Sequence, residues 1–212
     1  MFDIEYRGAN AVVFTTKKTQ LVFDPRVSVA GGKDVSVKGA IEVVTEDRFA
    51  VENTTPKLLL SIPGEYGVGD TSITGVAAQR HIDTEEQGQK STIYRVVIGD
   101  VRIAVLGNIA PKLSDDQLEA LGVIDIVVIP VGGGGYTLDP TDAAKLVRQI
   151  EPRAVIPVHY ADEALNYEVP QQDLDVFVQE LGAGVIEAGP KYKIKSISSV
   201  PEQLSVVKIT RS

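Results

Sequence analysis

The sequence predicts a layered α/β fold in a single domain spanning residues 1–212. Three observations carry that reading. Short β-rich runs, several paired as hairpins, fill the first half. Two nearly continuous apolar runs, Val123 to Val131 and Ala154 to Val158, have the character of strands covered on both faces. Helical apolar spacing alternates with those runs in the second half, the pattern of helices layered on a sheet. A chain of 22.7 kDa buries about 70% of its unfolded surface, enough for a core without covalent staples.

In chain order, Val12 to Phe14 and Leu21 to Phe23 flank the polar stretch Thr15 to Gln20, a hairpin whose second strand stops at Asp24-Pro25. A Gly- and Lys-rich loop leads to Ala40 to Val44, a short strand ending at Thr45-Glu46-Asp47, the first strand exit that could carry chemistry. Leu58 to Ile62 and Thr71 to Ala77 are strands joined through Pro63 to Gly67, where Pro and Gly mark a turn, and His81 lies just beyond. Thr84 to Lys90, with the pair Glu85-Glu86, reads as a solvated polar turn. Thr92 to Ile98 and Val101 to Leu106 form a second hairpin about Gly99-Asp100 and exit at Gly107-Asn108. Each hairpin thus delivers a short polar side chain, Asp24 or Asn108, as in a pseudo-symmetric sandwich.

Ser114 and Gln117 have capping-box spacing before Leu118 to Leu121, and Gly122 is the stop. Asp139-Pro140 opens a helix that runs through Ile150 and ends at Pro152. His159 sits at the exit of the Ala154 to Val158 strand. A last amphipathic helix, about Gln171 to Leu181, precedes strand-like runs at Val185, Tyr192 to Ile197 and Leu204 to Ile209. Gly132 to Gly135 lacks the Lys of a phosphate-binding P-loop and reads as a flexible or close-approach loop.

Composition removes several classes of function. Without cysteine there is no disulfide, no thiolate metal site and no Cys nucleophile. A net charge of −8 and a pI near 4.8, with no basic stripe, oppose binding to nucleic acid. Asp3, Glu5 and Arg7 interrupt the amino end where a signal peptide needs an apolar run, and no stretch has the length of a membrane span. A soluble, cytoplasmic protein without membrane or nucleic-acid partners is the expectation.

The order of Leu21 to Pro25, Thr45 to Asn53, Pro63 to Tyr66, the His81 region, Leu106 to Asn108, Ser114 to Gly122 and Ile129 to Tyr160 resembles the metallo-β-lactamase superfamily. Within it, the nearest branch is the compact zinc-dependent hydrolases similar to sugar-phosphate lactonases. The most specific stretches are Pro63 to Tyr66, Leu118 to Gly122, and Gly133 to Asp139 followed by Pro157 to Tyr160. The resemblance implies a four-layer αβ/βα sandwich, self-association as a homo-oligomer, and one or two metal ions held by His and Asp. The family's HxHxDH motif follows a strand, but after Val43-Val44-Thr45 its His positions hold Glu46, Arg48 and Val51, and its Asp position holds Ala50. Further along, ligand positions match His81, Asn108 in place of a bridging Asp, and His159.

Neutral imidazoles and carboxylates hold a catalytic Zn²⁺, typically three of them with one water. Arg48 would instead repel a divalent ion by roughly 8 kcal/mol at about 4 Å and an effective dielectric near 20. The expectation is therefore a pseudoenzyme, a noncatalytic binding or assembly subunit with no catalytic residue, metal or cofactor. Its vestigial site or ligand pocket comprises Glu46, Arg48, His81, Asn108 and His159, with a small anionic ligand drawn to Arg48 and the two histidines. A surface ion pair of Arg48 with Glu46, Asp47 or Glu52 is the plainer fate of that arginine. The alternative function is a metal-dependent hydrolase of phosphorylated sugars or lactone-like esters, with one ion on Glu46, His81 and His159.

Overall fold

A computed structural model describes residues 1–212, with every side chain except that of Glu85. Two sheets face each other. The first has six strands in the order β13-β1-β2-β3-β4-β5, from β1 (Phe2–Gly8), β2 (Ala11–Thr15), β3 (Gln20–Phe23), β4 (Ile41–Val43), β5 (Leu58–Leu60) and β13 (Tyr192–Ile194). The second has eight in the order β12-β14-β11-β10-β9-β8-β7-β6. Its members are β6 (Gly64–Val68), β7 (Thr71–Ala78), β8 (Ser91–Ile98), β9 (Val101–Val105), β10 (Ile126–Pro130), β11 (Ala154–Val158), β12 (Gly184–Gly189) and β14 (Ser205–Ile209). The two expected hairpins are β2–β3 and β8–β9, one in each sheet.

The core between the sheets is aliphatic and aromatic. Phe14 packs on Phe23 with ring centroids 4.9 Å apart, and Phe23 meets Tyr94 edge-on at 6.3 Å. Both are contacts that aromatic rings favour. β10 and β11 are buried along their whole length, because α1 (Asp115–Leu121), α2 (Pro140–Ile150) and α3 (Leu174–Leu181) cover the second sheet's outer face. Asp125, the one charge before β10, is buried but receives the Arg102 guanidinium at 2.8 Å on each oxygen. The Ser114–Gln117 capping box and the Asp139 cap with Pro140 at the first helical turn form as the spacing predicts. The first sheet's outer face carries no α-helix. Its outer layer is the 25–40 stretch, with one 3-10 turn (Val27–Ala30), whose Val37 and Ala40 pack on Val13 and Val22.

Three local expectations change. Phe2, Ile4 and Tyr6 alternate with Asp3, Glu5 and Arg7 in β1, a strand that the charge of this segment had obscured. Pro63 to Gly67 is mostly strand β6, because its backbone pairs along β7 from Gly64↔Gly75 to Val68↔Thr71. α3 starts at Leu174, not near Gln171, since Gln172 spends its backbone on other partners: its N–H donates to Gly132 O at 2.7 Å and its O accepts from Ala161 at 3.0 Å. Glu85-Glu86 falls in a 3-10 turn, and the Glu85 side chain lies outside the described residues. Among the described residues no helix is long and apolar enough to cross a membrane.

Candidate functional site

Parallel pairing within each sheet aligns strand exits: β3 with β4 in the first, β9, β10 and β11 in the second. In such layered folds, groups just beyond the carboxyl ends of strands share one edge. The sheets are tied together there. Thr45 O accepts from Thr92 N at 2.9 Å and Ser91 Oγ at 3.1 Å, and Ala9 O accepts from His159 N at 2.8 Å.

On the first-sheet side, Asp24 leaves β3 in the left-handed region (φ 45°) and is buried. Its two oxygens take the Thr45 N–H and hydroxyl, each at 2.7 Å, so it fastens the exit of β4. An Asp expected only to end a strand thus positions the next loop. Burial pushes the Asp24 carboxyl up to about 7, the Thr45 bonds oppose the rise, and nearby Glu46 adds to it.

Glu46 follows Thr45, with its side chain 3% exposed. Arg48 lies one 3-10 turn on, its Nη2 donating to Glu46 Oε1 at 3.2 Å and its Nε 3.1 Å from Oε2. Arg80 Nη1 is 3.7 Å from the same Oε2. Neither N–H is aimed at Oε2, so that oxygen is charge-compensated without a well-formed hydrogen bond. Burial raises Glu46 above the ordinary carboxylate range, while Arg48, Arg80 and the Asn108 amide oppose it. Arg48 also stacks over Phe49, 4.7 Å from the ring centroid. The ion pair expected at the surface therefore has a buried carboxylate. Arg80 came with no sequence signal; it is fixed by Asp83, which accepts from its Nε at 2.8 Å and Nη2 at 2.7 Å.

On the second-sheet side, Asn108 is buried after Gly107, whose added Cβ would meet Thr45 Cβ at 2.6 Å. His159 leaves β11 in the left-handed region (φ 51°), with its ring tilted on Tyr167 at a centroid distance of 4.8 Å. Asn10, a residue no motif marked, joins the two: its Nδ2 donates to Asn108 Oδ1 at 3.1 Å and its Oδ1 lies 2.8 Å from His159 Nδ1. Direction along this chain follows from Asn10, whose Nδ2 donates and whose oxygen is left for His159. Asn108 turns its NH₂ toward Glu46 and its oxygen toward Asn10, and Asn10 turns its oxygen toward His159. His159 therefore carries its proton on Nδ1 and leaves a bare lone pair on Nε2. Burial pulls its pKa down to about 4, and the charge of Arg48 acts in the same sense, so the ring is neutral at pH 7.

The structure brings four of the five expected residues, Glu46, Arg48, Asn108 and His159, into this one polar chain. The fifth, His81, is attached through its backbone N–H, which donates to Asn108 O at 2.8 Å, while its Nδ1 is buried without a partner. Of the residues expected to form an anion pocket, Arg48 lines a cavity in which neither His81 nor His159 takes part. This cavity of about 320 Å³ is lined by Glu46, Arg48, Arg80 and Lys90. The metal alternative fares no better geometrically. Among the described residues, no three His, Asp or Glu side chains converge as a ligand set, Glu46, His81 and His159 included. Where a bridging carboxylate would bind two cations, Asn108 is neutral and its oxygen accepts from Asn10. The donors present do not fit a catalytic ion.

Fold and site together define a two-sheet α/β sandwich, with α-helices on the second sheet only and with its polar groups gathered at strand exits. The chain belongs to the metallo-β-lactamase superfamily: the β-lactamase superfamily domain matches residues 3–159. A UPF0173 metal-dependent hydrolase of Thermus thermophilus is 24% identical over 209 residues, covering 84% of this chain and 91% of the relative. One from Symbiobacterium thermophilum is 36% identical over 111 residues, 48% of this chain and 47% of the relative. A Thermotoga maritima member of the superfamily superposes with a TM-score of 0.74 at 19% identity, over 99% of this chain and 100% of that one. Igni18, a metallo hydrolase of Ignicoccus hospitalis, gives 0.63 at 14% identity, over 99% and 95%. These structural likenesses establish the fold.

Proposed function

We propose that this chain is a noncatalytic member of its superfamily, a binding or assembly subunit in which an ion pair stands in place of the metal centre. The observation that carries the reading is the buried Glu46 held by Arg48 and Arg80 at the positions of the family's first ligands. A guanidinium there compensates a carboxylate as a cation would, but it neither lowers the pKa of a bound water nor offers an open coordination position. The names of the relatives favour the second reading, a metal-dependent hydrolase. For this chain that reading requires Arg48 to withdraw from Glu46 and two histidines to close on one ion.

Elemental analysis of protein purified from metal-supplemented medium separates the two. The proposal expects zinc, manganese and iron far below one per chain. Near-stoichiometric metal that disappears in His81→Ala would overturn it and install the hydrolase. As for assembly, Leu58, Leu59 and Ile62 are 41%, 45% and 65% exposed on and beside β5, the free edge of the first sheet. We infer that self-association would use this edge. Sedimentation velocity should show an oligomer that Leu59→Lys dissociates; a monomer in both proteins would refute the assembly role.

A further inference from the structure

A cavity larger than the one at the strand exits lies elsewhere in the fold. About 840 Å³ opens on the outer face of the first sheet, under the 25–40 stretch, within the size range of small-molecule sites. Val13 and Val22 of β2 and β3 lie beneath it, already covered, and its accessible apolar wall is Val35, Ala164 and Leu165. Four cationic side chains line it, Arg7, Lys33, Lys38 and Arg211, against one acidic side chain, Asp34, which already accepts from the Ser28 N–H at 2.8 Å; Ser212 O also lines it and accepts from Arg7 Nη1 at 3.4 Å. That is a concentration of positive charge in a chain whose net charge is −8.

The contrast with the strand-exit cavity is electrostatic. There, Arg48 and Arg80 are each engaged by a buried or hydrogen-bonded carboxylate. Here, Arg7 pairs with Glu5 at 2.9 Å and Arg211 with Asp162, but neither Lys33 nor Lys38 has a carboxylate within 4.0 Å among the described residues. A second feature is independent of charge. Two glycines pin the roof of the cavity: a Cβ on Gly31 would meet Asn166 Cβ at 3.0 Å, and one on Gly32 would strike Val27 Cγ1 at 2.6 Å and Leu165 Cδ2 at 2.8 Å. The 25–40 stretch is thereby packed against the 161–168 loop, and Asn166 N donates to Ala30 O at 2.8 Å. The cavity is a held shape, not a gap between loose loops.

We propose that this cavity binds an organic anion, a phosphate, sulfate or carboxylate head on an apolar body. The head lies among Lys33, Lys38 and Arg7, and the body covers Val35, Ala164 and Leu165. The site is separate from the strand exits and does not depend on whether those are catalytic.

Octyl phosphate below its micelle-forming concentration tests this by isothermal titration calorimetry. It should bind at least tenfold more tightly than inorganic phosphate or octanol alone, since only the complete molecule uses both rim and wall. The surface double variant Lys33→Gln/Lys38→Gln should weaken that binding at least tenfold, and Arg48→Lys should leave it unchanged. Equal affinity in wild type and the double variant overturns the proposal, as does failure of octyl phosphate to bind. Loss in Arg48→Lys also overturns it, by moving the anion to the strand-exit cavity.

Discussion

The two halves of the strand-exit site have been rebuilt in opposite electrostatic styles. The first-sheet half is charged: Glu46 is buried against Arg48, with Asp24 nearby holding the loop through Thr45. The second-sheet half is neutral: Asn108, Asn10 and an uncharged His159 pass hydrogen bonds between amides and a ring. The difference teaches that Asn108 makes sense only beside Glu46. A carboxylate at 108 would face a second buried carboxylate with no cation between them, whereas an amide donates to one side and accepts from the other. The Glu46–Arg48 pair and the amide at 108 are therefore best understood as one compensated set.

The sharpest way to break this picture is Arg48→Ala, which leaves buried Glu46 with only Arg80 at 3.7 Å. Because Arg48 is itself 38% exposed, the loss should be about 2–3 kcal/mol, below the range for fully buried pairs. Urea unfolding should also show Glu46→Gln/Arg48→Ala recovering at least half of it; additive losses would mean that the pair is not a unit. Next, Asn108→Asp should destabilise by about 2 kcal/mol at pH 7 through two adjoining carboxylates. That deficit should shrink as acid neutralises them, and an equal deficit at pH 4.5 would point to packing instead.

The halves also titrate in opposite senses. His159, depressed to about 4 from 6.5, contributes stability that is complete above pH 6.5 and is lost as pH falls toward 4. Asp24, raised to about 7 from 3.8, contributes stability that is complete below 3.8 and is lost as pH rises through 7. Between pH 4 and 6.5 the two oppose each other. His159→Asn, which suits the left-handed backbone, should therefore gain about 1–2 kcal/mol relative to wild type on acidification from pH 7 to 4. Parallel pH curves for the two proteins would remove His159 from this role. The smallest effect should come from Asn10→Ala, about 1 kcal/mol. Its diagnostic readout is ¹⁵N NMR of His159, which should lose its exclusive Nδ1–H tautomer; an unchanged tautomer would show that Asn10 does not set it.

Much of the fold was legible because its signals are local. The Ser114–Gln117 cap, Pro140 in the first turn of α2 and the both-sides-apolar β10 and β11 depend on neighbours in sequence, and each formed as read. β6 was not legible, since Pro63 to Gly67 becomes strand only by pairing with β7. At the site, the sequence by itself determined which family donors are gone: Arg48, Ala50 and Val51 cannot ligate in any arrangement. What only the tertiary structure decided is where the remaining groups point. Arg80 and Asn10 join Glu46 and His159 across 34 and 149 residues, because the exits of two separate sheets meet at one edge. Side-chain chemistry is written residue by residue, but charge compensation and hydrogen-bond direction belong to groups that only folding brings within 4 Å.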